Sequence, residues 1–203
     1  MVTAPRILRV ERVPDPRLIE EAAAIVREGG LVAFPTETVY GLAADASNPA
    51  AVARLNQVKG RPPEKPYSWH VHSVEQLEPL VGELPPPAVR LIERFWPGPL
   101  TIILPTKTGT TIGFRLPDHP VARAFLAACR VPVVAPSANR SGEPPPRDAQ
   151  AVLESLDGAF DALLDAGPTP LGKESTVVEV QGNQVDIRRK GAISREEIDS
   201  AIR

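Results

Sequence analysis

Short apolar runs alternate along the chain with longer amphipathic stretches, and polar, proline-rich segments separate them. By their periods, the runs predict buried strands and the stretches predict helices. The predicted strands are 31–34, 69–71, 100–104, 111–116, 131–135, 162–164, 176–180 and 184–188. The predicted helices begin near Pro16, Pro49, Ser73, Pro87, Val121, Asp148 and Ser194. Several neighbouring strands have no helix between them, so we expect an α/β fold with a mixed parallel and antiparallel sheet flanked by helices.

Local signals mark several element ends. Asp15 and Asn48 each precede a proline, which is the pattern of an N-cap followed by the first helical residue. Capping-box spacing predicts two further helix starts, at Ser73 with Gln76 and at Ser194 with Glu197. Gly182-Asn183 predicts a hairpin turn between the last two strands.

The composition is that of an ordinary globular protein, and it excludes several classes. A chain of 203 residues predicts one domain, residues 1–203. A net charge of −2 argues against a protein that binds nucleic acid over much of its surface. The 4% of aromatic residues argues against a platform on which single-stranded bases stack. The one cysteine, Cys129, permits no internal disulfide and fits a reducing, cytoplasmic compartment. No segment has the length of a membrane span or a signal peptide, and the histidine and cysteine spacing predicts no metal site.

Polar residues follow the first apolar run directly, at the end where open α/β sheets bind ligands. Pro35 ends that run because it supplies no backbone donor. Thr36, Glu37, Thr38 and Tyr40 come next. This segment is either a binding loop or a polar turn with a capping threonine.

Positive charge is concentrated locally. Between Arg54 and His72 the basic residues exceed the acidic ones by three. Lys59 and Arg61 are two residues apart, and from a loop both can face one anion. A focused anionic ligand is one interpretation, and a solvated run at a helix C-terminus is the other.

Arg115 lies in an apolar strand between Phe114 and Leu116, so it faces the opposite side of the sheet from both. A buried arginine needs an anionic partner, either a ligand or a carboxylate in a structural ion pair.

Two further polar segments adjoin predicted strands. The loop 137–142 follows a buried strand and offers hydroxyls and an amide that suit phosphate or ribose, although a surface turn is the alternative. Ser175 precedes the final hairpin and Arg189 ends it. Without a Ser-His-Asp arrangement or paired carboxylates, the pattern indicates charge neutralisation at a phosphate rather than a covalent nucleophile.

Six segments, taken together and in order, resemble one family. They are FPTETVYGL, KGRP, WPGPLTIIL, GFRLPDHP, PSANRSGEPPP and STVVEV. In these the chain resembles the YrdC-like family, which contains L-threonylcarbamoyladenylate synthases, from about Pro16 to Ile193. The resemblance implies a twisted mixed sheet with a large concave basic cavity. It also implies the short form of the enzyme, without the extra C-terminal domain of the long form.

The resemblance implies a reaction in which L-threonine, bicarbonate or carbon dioxide, and ATP with Mg²⁺ give threonylcarbamoyl-AMP and pyrophosphate. The product would feed the modification of tRNA beside the anticodon by a separate transferase complex. The expected partners are therefore small-molecule substrates, that complex and possible tRNA or double-stranded RNA, with no membrane.

The resemblance also implies roles for matching residues. Threonine would contact Thr36, His70, Arg115 and Ser175. ATP would contact Lys59, Arg61, Lys65, Thr111, Ser137, Asn139 and Arg189. The catalytic set would be Lys59 and Arg61 at the triphosphate with Arg115 at the threonine carboxylate. Tyr40 would shape the pocket wall.

The chain departs from the family pattern just before His70. The family has asparagine at Lys65, and leucine and aliphatic residues where Tyr67, Ser68 and Trp69 stand. Two alternatives stay open. One is a paralogue that makes another carbamoyl-adenylate. The other is a non-catalytic double-stranded RNA-binding module, which would bind RNA in a salt-sensitive manner without turning over ATP.

Overall fold

The computed structural model describes residues 4–11 and 13–203, and over these residues it contains ten strands and six α-helices. The strands are β1 Arg6–Arg9, β2 Val32–Phe34, β3 Gly41–Asp45, β4 Trp69–His70, β5 Leu100–Pro105, β6 Thr111–Arg115, β7 Val133–Val134, β8 Ala162–Asp165, β9 Thr176–Gln181 and β10 Gln184–Arg189. The helices are α1 Pro16–Arg27, α2 Pro49–Lys59, α3 Pro86–Phe95, α4 Pro120–Cys129, α5 Ala149–Leu156 and α6 Arg195–Ala201.

The described strands form one sheet in the order β1-β8-β2-β3-β7-β4-β6-β5-β9-β10. The pairs β1–β8, β2–β8, β4–β6 and β5–β9 are parallel, and the remaining pairs are antiparallel. The predicted α/β fold with a mixed sheet is therefore confirmed.

Helices cover both faces of the sheet, so its central strands are buried on both sides. In β2, Val32 and Phe34 join the apolar cluster under α1 and α4, whereas Ala33 joins the cluster under α2 and α5. This division follows from the alternation of side chains along a strand. A third cluster lies between the β5–β6–β9 part of the sheet and helices α3 and α6.

Two strands were not predicted. The strand β3 has the sequence GLAAD, which lacks the β-branched and aromatic residues typical of strands. It forms because β2 and β7 pair with it on either side. The strand β1 is a short edge strand paired with β8 alone.

The predicted helix starts are confirmed except for one. Asp15, Asn48 and Asp148 accept hydrogen bonds as N-caps, and Ser194 with Glu197 forms a complete capping box. The capping box at Ser73 was wrong. Its side chain does not cap the 3₁₀ helix Val74–Leu77, because Gln76 Oε1 accepts instead from the backbone N–H of His72. Among the described residues, no helix is long and apolar enough to cross a membrane.

Candidate functional site

A cavity of about 390 Å³ lies near the centre of the sheet, where several strands meet the loops that follow or precede them. Its lining comes from chain segments far apart in sequence. The lining residues are Val39, Arg61, Lys65, Pro66, Tyr67, Ser68, His70, Thr101, Arg115, Ala135, Pro136, Ser137, Asn139, Ser141, Gly142, Glu143, Glu174, Ser175 and Arg189.

Arg115 lies at the end of β6, only 5% exposed, and it has the anionic partner that its burial requires. Its Nη2 donates to Glu37 Oε1 at 2.8 Å and to Thr38 Oγ1 at 2.7 Å. The structural ion pair, left open from the sequence, is therefore present. Arg115 also lines the cavity, and its buried Nε has no hydrogen-bond partner among the residues that the structure describes.

Glu37 is held in place from two directions. Its Oε2 accepts from the backbone N–H of Asp118, and its backbone carbonyl accepts from Leu171. The turn after β2 is thus bonded to the segments that contain Asp118 and Leu171. These contacts fix the orientation of Glu37, and through the ion pair Glu37 orients the Arg115 guanidinium.

His70 is the register partner of Arg115 on the parallel strand β4, and it also lines the cavity. Burial, reinforced by the nearby Arg115 charge, lowers the pKa of His70 to about 3. The imidazole is therefore neutral at pH 7. Within the described part of the chain, its buried Nδ1 has no hydrogen-bond partner.

The loop after β7 presents Ser137 and Asn139 to the cavity. The Asn139 Nδ2 group donates to the backbone carbonyls of Arg140 and Glu143, at 2.9 and 2.8 Å. Among the described residues, its buried Oδ1 has no partner. Three residues that line the cavity, His70, Arg115 and Asn139, thus each carry one buried polar atom without a partner among the described residues.

Lys59, the last residue of α2, does not line this cavity. It is 2% exposed, and its Nζ donates to the carbonyls of Ser137 and Asn139, both at 2.5 Å. Burial, reinforced by Arg61, lowers the pKa of Lys59 to about 8, so the ammonium is charged at pH 7.

Arg61 lines the cavity together with Lys65. Its guanidinium donates to the carbonyl of Lys65 at 3.3 Å and to that of Pro66 at 3.0 Å, and it stacks on the Tyr67 ring at 4.8 Å. The Tyr67 hydroxyl in turn donates to Asn56 Oδ1. The segment that departs from the family pattern therefore forms the wall that orients Arg61.

Ser175 and Arg189, which both line the cavity, are in contact with each other. Arg189 Nη2 donates to the Ser175 carbonyl and hydroxyl, at 3.0 and 3.1 Å, and its Nη1 donates to Glu174. The Ser175 hydroxyl also shares a 2.9 Å hydrogen bond with Thr101.

Besides Lys59, three residues expected in the site do not line this cavity. Thr36 is buried within its turn, where its hydroxyl donates to the Val39 carbonyl. Tyr40 is fully buried, and its hydroxyl donates to the Gly167 carbonyl. Thr111 lines a neighbouring apolar pocket of about 210 Å³, which shares the 65–67 wall with the main cavity.

Sequence reasoning missed Thr101, Glu143 and Glu174 as lining residues, whereas Ser141 belongs to the loop 137–142 that it singled out. Glu143 directly follows that loop, and Glu174 precedes Ser175. No sequence motif marked Thr101 as a site residue, since it lies within the apolar strand β5.

The described lining carries more positive than negative charge. Arg61, Lys65, Arg115 and Arg189 are opposed by Glu143 and Glu174. Within the described part of the chain, no three His, Cys, Asp or Glu side chains are grouped to hold a metal ion. The arrangement suits an anionic ligand bound by several cations and by directional donors and acceptors.

The Sua5/YciO/YrdC domain model, whose description reads "Telomere recombination", matches residues 24–191. The chain belongs to the Sua5/YciO/YrdC family. The resemblance to YrdC-like proteins is confirmed. Within this family, the chain is 44% identical to the threonylcarbamoyl-AMP synthase of Bacillus subtilis, over 93% of this chain and 57% of the relative.

Solved structures of the Sua5/YciO/YrdC family have the same fold. The structure of Pyrococcus abyssi Sua5 complexed with L-threonine gives a TM-score of 0.91 at 41% identity, covering 97% of this chain and 60% of that one. The structure of Escherichia coli YciO gives a TM-score of 0.85 at 24% identity, covering 96% of this chain and 99% of that one. The chain thus spans less than two thirds of the Bacillus and Pyrococcus relatives.

Proposed function

We propose that this chain is an L-threonylcarbamoyladenylate synthase, making threonylcarbamoyl-AMP and pyrophosphate from L-threonine, bicarbonate or carbon dioxide, and ATP. The observation that carries the proposal is one cavity lined by four cationic side chains, Arg61, Lys65, Arg115 and Arg189, together with polar residues from distant segments of the chain. The names of family relatives and the threonine complex of the Pyrococcus protein support it. A single domain over residues 1–203 is part of the same proposal.

The threonine end of the cavity is proposed to lie at Arg115 and His70. Both residues line the cavity, so the Arg115 guanidinium would pair with the threonine carboxylate and the neutral His70 ring would hydrogen-bond the hydroxyl. Ser175 would complete this end, and Thr36 would act through the shape of its turn.

The nucleotide end is proposed to involve cations on both sides of the cavity. Arg61 and Lys65 would face the triphosphate from one wall and Arg189 from the other, while Ser137 and Asn139 hydrogen-bond the nucleotide. Thr111 would contact ATP where the ligand extends into the adjoining pocket. Tyr40 would support the wall from the core.

The chemistry needs positioning and charge neutralisation. An oxygen of the threonine carbamate attacks the α-phosphorus of ATP, a P–O bond forms, and the P–O bond to the β-phosphate breaks to release pyrophosphate. Negative charge grows on the transferring and leaving oxygens, and cations fixed in advance stabilise it. Mg²⁺ would arrive bound to ATP, with Glu143 and Glu174 as the lining carboxylates.

In the cell, the product would be used in the cytoplasm by a transferase complex that modifies tRNA beside the anticodon. Direct contact of this chain with tRNA or with that complex belongs to the same proposal.

The test is pyrophosphate release from ATP by the purified chain, with and without L-threonine and bicarbonate. We expect release that requires both. Arg61→Ala should reduce turnover at least about a hundredfold, since removing one preorganised charge donor typically costs that much. Near-normal turnover in a folded Arg61→Ala chain would contradict its role. Release with another amine would indicate a paralogue, and salt-sensitive RNA binding without release would indicate a binding module.

A further inference from the structure

The end of α2 is connected to the loop after β7 by a single residue. Lys59 Nζ donates to the carbonyls of Ser137 and Asn139, and its own backbone carbonyl accepts from the Ser141 N–H at 2.8 Å. Lys59 therefore contacts alternate residues along the loop. These contacts hold the loop from the side of α2.

The same loop is held by β3 from another side. The backbone N–H of Ala138 donates to the Tyr40 carbonyl, and Leu42 donates to the Pro136 carbonyl, both at 2.8 Å. Ala138 is fully buried, whereas Ser137 and Asn139 on either side of it line the cavity. The shape of the loop thus decides where two cavity side chains lie.

Lys59 and Arg61 occupy different environments although they are two residues apart. Arg61 lines the cavity, whereas the Lys59 ammonium is buried with two of its three hydrogens directed to backbone carbonyls. We propose that Lys59 is a positioning residue that acts on the nucleotide through Ser137 and Asn139, rather than a group that contacts the triphosphate. This inference rests on the proposed function for the identity of the ligand.

The two roles differ in the ligand-free protein. If Lys59 holds the loop, its removal leaves two carbonyls without their donor, and the loop opens more often even without nucleotide. If Lys59 contacts only phosphate, the ligand-free loop is indifferent to it. The backbone amides of Ala138 and Ser141 report this difference because each donates a hydrogen bond from the loop to a neighbouring segment, Ala138 to Tyr40 and Ser141 to Lys59.

The experiment compares Lys59→Met with Arg61→Met, two replacements of a cation by the same flexible apolar side chain. Amide hydrogen exchange is followed by NMR in the ligand-free chains, and ATP binding is measured by calorimetry at pH 7. We expect Lys59→Met to speed exchange at Ala138 and Ser141 by about tenfold or more, and to weaken ATP binding by about tenfold. Arg61→Met should weaken ATP binding without changing that exchange. Amides of β8 serve as the reference for global opening.

Weaker ATP binding in Lys59→Met with unchanged exchange at Ala138 and Ser141 would overturn the proposal, and so would unchanged ATP binding. If Lys59→Met does not fold, Lys59→Leu, which likewise removes the charge and all three N–H donors, gives the same comparison with the same expectation. Neither readout needs threonine or bicarbonate. A chain that binds ATP but releases no pyrophosphate would therefore contradict the proposed function separately from the role of Lys59.

Discussion

Arg115 joins the stability of the fold to the proposed chemistry, because one guanidinium both pairs with buried Glu37 and lines the cavity. Removing one partner of a buried pair leaves the other charge uncompensated, whereas replacing both with neutral groups restores much of the balance. The residue therefore cannot be tested as if it were only a substrate contact.

We expect Arg115→Met to lower the free energy of unfolding by about 3–5 kcal/mol because Glu37 is left unpaired. Adding Glu37→Gln should recover more than half of that loss, while pyrophosphate release stays absent in both variants. Urea unfolding and the release assay measure the two effects. Recovery of activity together with stability would argue that Arg115 has a structural role alone.

Because His70 is buried with a lowered pKa, we expect the free energy of unfolding to depend on pH in the acidic range. Its pKa is about 3 in the folded chain and near 6.5 when unfolded, so below pH 6.5 the unfolded chain binds a proton that the folded chain does not. Its contribution to stability is complete above pH 6.5 and decreases as the pH falls towards 3.

Between pH 6.5 and pH 5, the His70 contribution should fall by up to about 2 kcal/mol. The matched variant His70→Gln lacks this titration, so its unfolding free energy should fall less over the same range. Urea unfolding at the two pH values gives the difference. Equal pH dependence in both chains would contradict a neutral, buried His70.

Among the elements, the start of β9 depends on close contact with the chain after β10. A Cβ at Gly191 would lie 2.3 Å from the Ser175 carbonyl carbon and from the Thr176 nitrogen, both backbone atoms. Only glycine therefore allows this approach, which holds Ser175 at the cavity.

We expect Gly191→Ala to destabilise the chain by about 1–3 kcal/mol and to weaken L-threonine binding, since the start of β9 must move. Gly82→Ala is the control, because a Cβ there meets nothing within 4 Å and its φ is not positive. Thermal unfolding and threonine calorimetry measure both. Threonine binding as tight in Gly191→Ala as in Gly82→Ala would show that Ser175 does not depend on this contact.

Hydrophobic periodicity predicted the strands that have strongly apolar sequences. It failed for β3, which forms only through pairing with neighbouring strands. The runs at β2, β5 and β9 are apolar enough to predict strands from sequence alone. The alanine-rich β3 becomes a strand only through its neighbours, which no local window contains. The failed capping box at Ser73 is a local effect instead, since the Gln76 side chain accepts from the backbone N–H of His72.

On the scale of the whole molecule, the cavity is lined by residues spread between Val39 and Arg189. It therefore forms only when the strands pair in the observed order. The sequence singled out Arg61, Arg115 and the loop that contains Ser137, the family resemblance added His70, and all four residues line one cavity. It could not predict that Lys59 would be buried behind a loop, because that depends on the contact between α2 and the segment after β7.

The most direct test of the proposed synthase is to follow carbon from bicarbonate. The purified chain is incubated with ¹³C-bicarbonate, L-threonine and ATP with Mg²⁺, and the nucleotide products are analysed by mass spectrometry. We predict an adenylate whose mass includes one threonine and one ¹³C, formed together with pyrophosphate and absent when threonine is omitted. A folded chain that binds ATP and threonine yet forms no ¹³C-labelled adenylate would contradict the proposal.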